Sequence, residues 1–156
     1  MTRKPFYIFA IVATMLLVLS TNSCDKMSDN GSLDGMWQIA SVTYNNASRY
    51  DSTVDVKSEK AYLSFQLDLA QIKWLERNVQ GTSTFLSRFQ REGDYLKLYD
   101  FYRHYRTTDS LFTEKDTLLL TPLGFRGFEN KFQILEGGDK YMKLQSPFAI
   151  IELRKF

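Results

Sequence analysis

His104 is the single histidine of the 156-residue chain and stands in the run FYRHYRTTDSLF. With Asp109 and Ser110 a few residues on, it supplies the three side-chain types of an acyl-transfer triad: a hydroxyl nucleophile, an imidazole base and a carboxylate to orient it. The spacing argues against that chemistry. All three fall on one strand-to-loop run, and no G-x-S-x-G elbow lifts a serine onto a strained turn. His104 is therefore read as a half-exposed strand histidine. One histidine and one cysteine, Cys24, are too few for a His/Cys metal site, and the acids lack the D-x-D-x-D spacing of a carboxylate calcium site. Glycoside hydrolysis needs two carboxylates placed across a cleft, and no such pairing can be read in the chain. Neither G-x-x-x-x-G-K-[ST] nor G-x-G-x-x-G occurs, and PLGFRGFE is a turn signature rather than a phosphate loop. No catalytic residue, metal or cofactor is expected, and the chain is read as a non-enzyme.

A second run carries binding chemistry. In YLKLYDFYRHYR, strict alternation puts Tyr95, Lys97, Tyr99, Phe101, Arg103 and Tyr105 on one strand face, where rings and cations interleave. Such a face could stack a sugar ring or bases, or it could be an amphipathic strand whose rings pack on a neighbour and whose cations are solvated. Charge excludes nucleic acid. The net charge of +2 comes from Arg3 and Lys4 in residues 1–23, which hold no acid, so residues 24–156 carry 18 basic and 18 acidic groups. A nucleic-acid surface needs a basic surplus.

The same N-terminus places the protein. MTRKP is a short positive region, and Phe6 to Leu19 is an uncharged apolar core of 14 residues. About 20 are needed to span a bilayer, so residues 1–23 fit an export signal instead. STNSC, small residues ending in the lone Cys24, resembles the lipobox of bacterial lipoproteins, with Thr21 standing where an aliphatic residue is usual. The resemblance implies lipidation of Cys24, membrane contact through that anchor only, and a place in the cell envelope at the outer membrane, periplasmic or surface side left open. An ordinary signal peptide leaving a free thiol is the alternative. A single cysteine cannot close an internal disulfide. Two or three acyl chains give stable anchoring where one is marginal. Residues 24–32 are polar and tether-like. Asn46-Ala47-Ser48 has the glycosylation pattern, which a bacterial lipoprotein would not normally use.

From Leu33 to Phe156 the dominant period is two. Trp37, Ile39, Ser41 and Thr43 alternate with Gln38, Ala40, Val42 and Tyr44, and KAYLSFQLDL followed by AQIKWLER continues the pattern. TFLSRFQ and YLKLYDFYRHY flank Glu92-Gly93-Asp94 as a hairpin. DTLLLT forms the next strand, stopped by Pro122 and Gly124. KFQILE and KYMKLQS flank Gly137-Gly138-Asp139, and FAIIELRKF closes the chain. Eight or nine short strands at near-regular spacing predict an all-β domain over residues 33–156, a sandwich or an up-and-down barrel. The polar stretch from Asn45 to Ser58 is either a long loop or a short helical lid.

Gly35-x-Trp37 on the first strand, a meander of strands, and a basic residue on the last one resemble the lipocalins, and more closely the small lipocalin-like domains of bacterial lipoproteins. LLLTPLGF, the KFQILEGGDKYMKL hairpin and the terminal LRKF carry that closer likeness. It implies a small antiparallel β-barrel of about eight strands in which Trp37 closes one end and Arg154 packs across its ring. With Trp37 facing inward, Ile39, Leu63, Phe65, Ile72, Trp74, Phe132, Ile134, Met142 and Leu144 point into the lumen. The function implied is binding of a small apolar or amphipathic ligand there. The alternative is a barrel with a filled core that engages a protein or glycan partner through its outer face.

Overall fold

The structure, a computed structural model, describes residues 30–45, 53–77 and 83–156. The export signal, Cys24, most of the tether and the Asn46 sequon lie outside the described residues. Within them, ten strands form one antiparallel sheet: β1 (Gly35–Tyr44), β2 (Thr53–Asp55), β3 (Ala61–Gln66), β4 (Leu69–Trp74), β5 (Thr84–Glu92), β6 (Tyr95–His104), β7 (Asp109–Leu111), β8 (Asn130–Gly137), β9 (Tyr141–Gln145) and β10 (Ala149–Lys155). Eight of them run β10-β9-β8-β6-β5-β4-β3-β1, and β1 then pairs with β10, so the sheet closes into a barrel. The two three-residue strands only extend its rim, β2 against β1 and β7 against β6. The Asn45–Ser58 stretch thus holds β2 and the start of a 3₁₀ turn, Lys57–Glu59, within its described part.

Alternation sets the inward face, and three bulges reset it. One extra residue at Ala40 in β1 carries the buried set from Trp37 and Ile39 to Val42, so Ser41 and Thr43, which alternate in step with Trp37 in the sequence, do not share its face. In β8 the extra residue is Leu135, which leaves Ile134 only partly buried. In β6 the extra residue lies at Asp100, whose φ is +52°. Leu96 and Leu98 face inward before it, Phe101 and Arg103 after it. The single aromatic and cationic face expected from Tyr95 to Tyr105 is therefore split. Tyr95, Lys97 and Tyr99 stay outside, while Phe101 and Arg103 enter the core.

Two other expectations change. The apolar run through KAYLSFQLDL is not one strand: Leu67, at φ +55° and 61% exposed, forms a tight turn with Asp68 between β3 and β4. DTLLLT is not a strand. It belongs to helix α1 (Glu114–Leu120), continued by a 3₁₀ turn at Thr121–Leu123. The Thr113 hydroxyl and backbone N–H both donate to the Asp116 carboxylate at 2.7 Å, and the Asp116 N–H bonds back to the Thr113 carbonyl at 2.9 Å. That reciprocal cap starts the helix locally and outweighs the β preference of the following leucines.

The core is one cluster that runs the length of the barrel and includes the inward residues of all eight closing strands. An eight-stranded barrel has an interior that side chains can fill. The segment between β6 and β8 enters it from one end: Leu120, Leu123 and Phe125 are buried, and the Tyr44 hydroxyl ties this segment to β1 by donating to the Pro122 carbonyl at 3.1 Å.

Candidate functional site

At the end where β1 begins, the G-x-W motif builds a closure. The Trp37 ring is buried and its indole N–H donates to the Leu33 carbonyl at 2.8 Å, fastening the Gly31–Leu33 turn across the opening. The cation over the ring is Lys155 rather than the expected Arg154. Lys155 Nζ lies 5.0 Å from the ring centroid and donates to the Ser32 carbonyl at 3.2 Å. Arg154 is exposed, its backbone facing Gln38 and Tyr141 in the adjoining strands. The reason is parity: Ile151 and Leu153 point inward, so position 155 shares their face and 154 does not. Gly35 follows from the same contact. Its φ is +106°, and a methyl group there would sit 3.3 Å from Lys155 Cε.

The opposite end is closed by α1 and held by a buried ion pair. Arg103, inward on β6, bonds through Nε and its terminal guanidinium nitrogen to Asp116, which is fully buried. Burial disfavours the Arg103 charge, but its hydrogen bonds to Tyr105 and Asp116 outweigh that and hold its pKa above the ordinary value. The pair is therefore a fixed clasp between barrel wall and helix.

Between these two closures the residues expected to line a ligand lumen are in place as packing. Ile39, Leu63, Phe65, Ile72, Trp74, Phe132, Met142 and Leu144 are between 0% and 3% exposed, and only Ile134 is partly open. Phe65 stacks edge-on against Phe89, and Phe132 against Phe125 from the inserted segment. Side chains this inaccessible leave no water-sized space beside them, so among the described residues these eight pack as a solid interior.

His104 and Asp109 do meet, at 2.8 Å across the β6–β7 pairing, but both are about half exposed. Ser110 faces Arg103 across the ladder, one position out of register with that pair. A hydroxyl on the alternate face cannot pass its proton to His104. Among the described residues no cluster of His, Cys, Asp and Glu is arranged to hold a metal ion, and no helix is long and apolar enough to cross a membrane.

Open space lies on the outer face. A groove of about 470 Å³ runs beside β8, lined by Asn45, Tyr95, Lys131, Phe132, Gln133, Gln145, Ser146 and Pro147. A second depression of about 440 Å³ adjoins it through Lys131, Ser146 and Pro147 and adds Arg126, Glu129, Asn130 and Phe148. The cause is local. Gln133 faces Gln145 in the β8–β9 ladder, and the next step of that register would set Lys131 against Pro147. Proline offers no N–H, so the pairing stops there. The chain folds away instead into a turn in which the Ser146 hydroxyl accepts from the N–H groups of Phe148 (3.2 Å) and Ala149 (3.0 Å). Asn45 clips the turn by donating to the Ser146 carbonyl at 2.7 Å. β8 thus keeps β6 as its only partner at its beginning, and the gap on its other side is the groove. Tyr95, Gln133 and Gln145 lie in one cross-strand row on its surface.

Of these residues, sequence reading singled out Tyr95 as a surface ring and Phe132 as a lumen residue. Lys131, Gln133 and Gln145 are ordinary outward positions of amphipathic strands. Pro147 was a visible signal, but pairing outward from Gly137 and Met142 would set it against Phe132, and only the shift at Leu135 carries it toward Lys131.

A crystal structure of a lipocalin-like protein from Bacteroides uniformis ATCC 8492 is similar at 20% identity, covering 81% of this chain and 100% of that one, with a TM-score of 0.58. An uncharacterized protein from Bacteroides eggerthii DSM 20697 is similar at 16% identity over 80% of this chain and 99% of that one, with a TM-score of 0.55. Both likenesses concern the fold. No curated protein sequence matches the chain. The lipocalin-like domain model matches residues 15–156, nearly the whole length, and with the closed eight-stranded barrel already described, the chain belongs to the lipocalin-like domain family.

Proposed function

We propose that this is a non-enzymatic binding protein of the bacterial envelope, tethered through a lipidated Cys24, whose ligand is taken in the outer groove beside β8. Lipocalin-like proteins are generally binding proteins rather than enzymes, and their barrel is compatible with a small hydrophobic ligand. The observation that carries the choice of groove over lumen is the inaccessibility of the inward side chains. A guest inside would have to displace Leu123 and Phe125. The groove needs no rearrangement. It offers a half-exposed Tyr95 ring beside the Gln133 and Gln145 carboxamides. A ring for C–H faces and amides for hydroxyls are the chemistry of glycan recognition.

Two titrations separate this reading from an internal apolar ligand. A panel of neutral oligosaccharides is titrated into the residue 25–156 domain, with heteronuclear NMR as readout, and the neutral fluorophore N-phenyl-1-naphthylamine is titrated in parallel. Shifts at Tyr95, Gln133 and Gln145, abolished in Tyr95→Ala, with no fluorophore uptake, support the groove. Stoichiometric fluorophore uptake that quenches Trp37 and Trp74, with no sugar bound, would transfer the function to the lumen. The tether is tested in the full chain: Cys24→Ser should move the protein from the membrane fraction to the soluble one, and unchanged retention refutes lipidation.

A further inference from the structure

Charge along the groove is uneven. Lys97 and Lys131 are direct cross-strand partners, a like-charge pairing that costs stability unless offset. Lys97 is offset by Glu129 at 2.9 Å. Lys131 is not: its Nζ lies 4.9 Å above the Tyr95 ring, and among the described residues no carboxylate forms an ion pair with it. Arg126 repeats the pattern at the far side of the second depression. Its guanidinium lies 5.3 Å above the Phe148 ring, again with no acid in an ion pair among the described residues. Both side chains are held by aromatic faces at the rim of one space, with Ser146 and Pro147 between them. The one carboxylate lining that space, Glu129, is already engaged by Lys97. The backbone beneath is fixed too, because the Arg126 N–H donates to Asn130 Oδ1 at 2.6 Å.

A cation over a ring keeps its charge and still presents free N–H donors, since the π face accepts only one side of it. Two such cations facing one depression form a receptor for an oxyanion, and Arg126 brings the forked donor geometry that suits a carboxylate. The neighbouring row of Tyr95, Gln133 and Gln145 suits a hydroxylated ring. We infer that the groove takes an acidic glycan, with a sugar carboxylate between Arg126 and Lys131 and the adjoining neutral part of the chain along Tyr95, Gln133 and Gln145. This rests on the groove being the binding site, and it names the ligand class.

The test uses the 25–156 domain, with binding by isothermal titration to a galacturonic acid tetramer, its methyl ester, and inorganic phosphate. The acid should bind at least tenfold more tightly than its ester, and that advantage should shrink between 0.05 M and 0.5 M salt as the pair is screened. Arg126→Gln with Lys131→Gln should bring acid and ester to the same affinity, and Tyr95→Ala should weaken both. Equal binding of acid and ester by the unmodified domain would overturn the acidic specificity and leave the groove as a neutral-glycan site. Binding of neither, at a domain whose thermal unfolding is normal, would overturn the groove as well. Phosphate binding as tightly as the acid would show an oxyanion site without sugar recognition and overturn the glycan class.

Discussion

A filled lumen makes a quantitative demand on Gly124. This residue follows the Thr121–Leu123 turn at φ +87°, where a Cβ would stand 2.7 Å from Ile151 Cγ1, 2.8 Å from Ile151 Cδ1 and 3.3 Å from Val42 Cγ1. Carbon atoms in contact settle at about 3.5–4.0 Å, so the added methyl overlaps Ile151 by roughly 1 Å at two atoms. Gly124→Ala therefore has two costs. The left-handed backbone costs about 1–2 kcal/mol for a residue with a Cβ, and overpacking costs about 1–3 kcal/mol. The sum, roughly 2–5 kcal/mol, is a large share of the ~5–15 kcal/mol that holds a domain of this size together. Ile151→Ala alone should cost about 2–5 kcal/mol, because Ile151 is fully buried and its loss leaves a cavity.

The two changes compensate if the lumen is packed. In the double variant the methyl group added at position 124 occupies space that the Ile151 side chain has vacated, so the overpacking disappears and the cavity shrinks. The double variant should then be more stable than the sum of the single effects predicts, by about 1–3 kcal/mol. Urea unfolding read by the emission of Trp37 and Trp74 measures this, provided the slope of the transition stays constant across the four proteins. A Gly124→Ala cost no larger than the backbone share, with the cycle closing to within about 0.5 kcal/mol, would refute the reasoning. It would mean that Ile151 swings into empty space, and the lumen would again be a candidate ligand site.

The remaining predictions concern closure and charge. Lys155→Ala should destabilise by about 1 kcal/mol, through loss of the contact with Trp37 and of the Ser32 hydrogen bond, whereas Arg154→Ala should stay within about 0.5 kcal/mol in the same urea assay. Arg103→Ala strands a buried carboxylate and should cost about 3–5 kcal/mol, while Arg103→Met with Asp116→Asn, which removes the charge and keeps a side-chain oxygen to accept from Thr113, should recover part of it; equal losses would show that the stranded charge is not the cause. Glu152 has its pKa lowered by hydrogen bonds from Lys143 and then Ser41, so its contribution exists above the ordinary glutamate value and fades as pH falls through its own lower one. Glu152→Gln should accordingly lower stability at pH 7 and leave it nearly unchanged at pH 2, and a loss of the same size at both would contradict that origin.

The barrel was legible because period-two alternation and the turns at Gly93 and Gly137-Gly138 act over a few residues, and each strand could be recognised alone. What escaped depended on single-residue insertions. Ala40, Asp100 and Leu135 each add one residue to one strand, and each flips the faces that follow. No residue type announces a bulge, since its position is chosen by how the closed barrel must bend. The Tyr95–Tyr105 face failed for that reason. α1 escaped for another: its leucines are equally at home in a strand, and only the Thr113–Asp116 cap favours the helix.

Arg154 was a different kind of miss, because the information was present. Ala149, Ile151 and Leu153 define the inward parity of β10, and extending it by one step reaches Lys155 rather than Arg154. Parity also shows why the groove lay beyond sequence reading. Lys131 and Gln133 on β8 share the outward parity of Tyr95 and Lys97 on β6, but only the register of the assembled sheet shows that the ladder ends at Gln133 and Gln145, where its continuation would set Lys131 against Pro147. The inward residues of this barrel can be inferred strand by strand. Its outer groove cannot, because that groove exists only where a ladder between two strands fails.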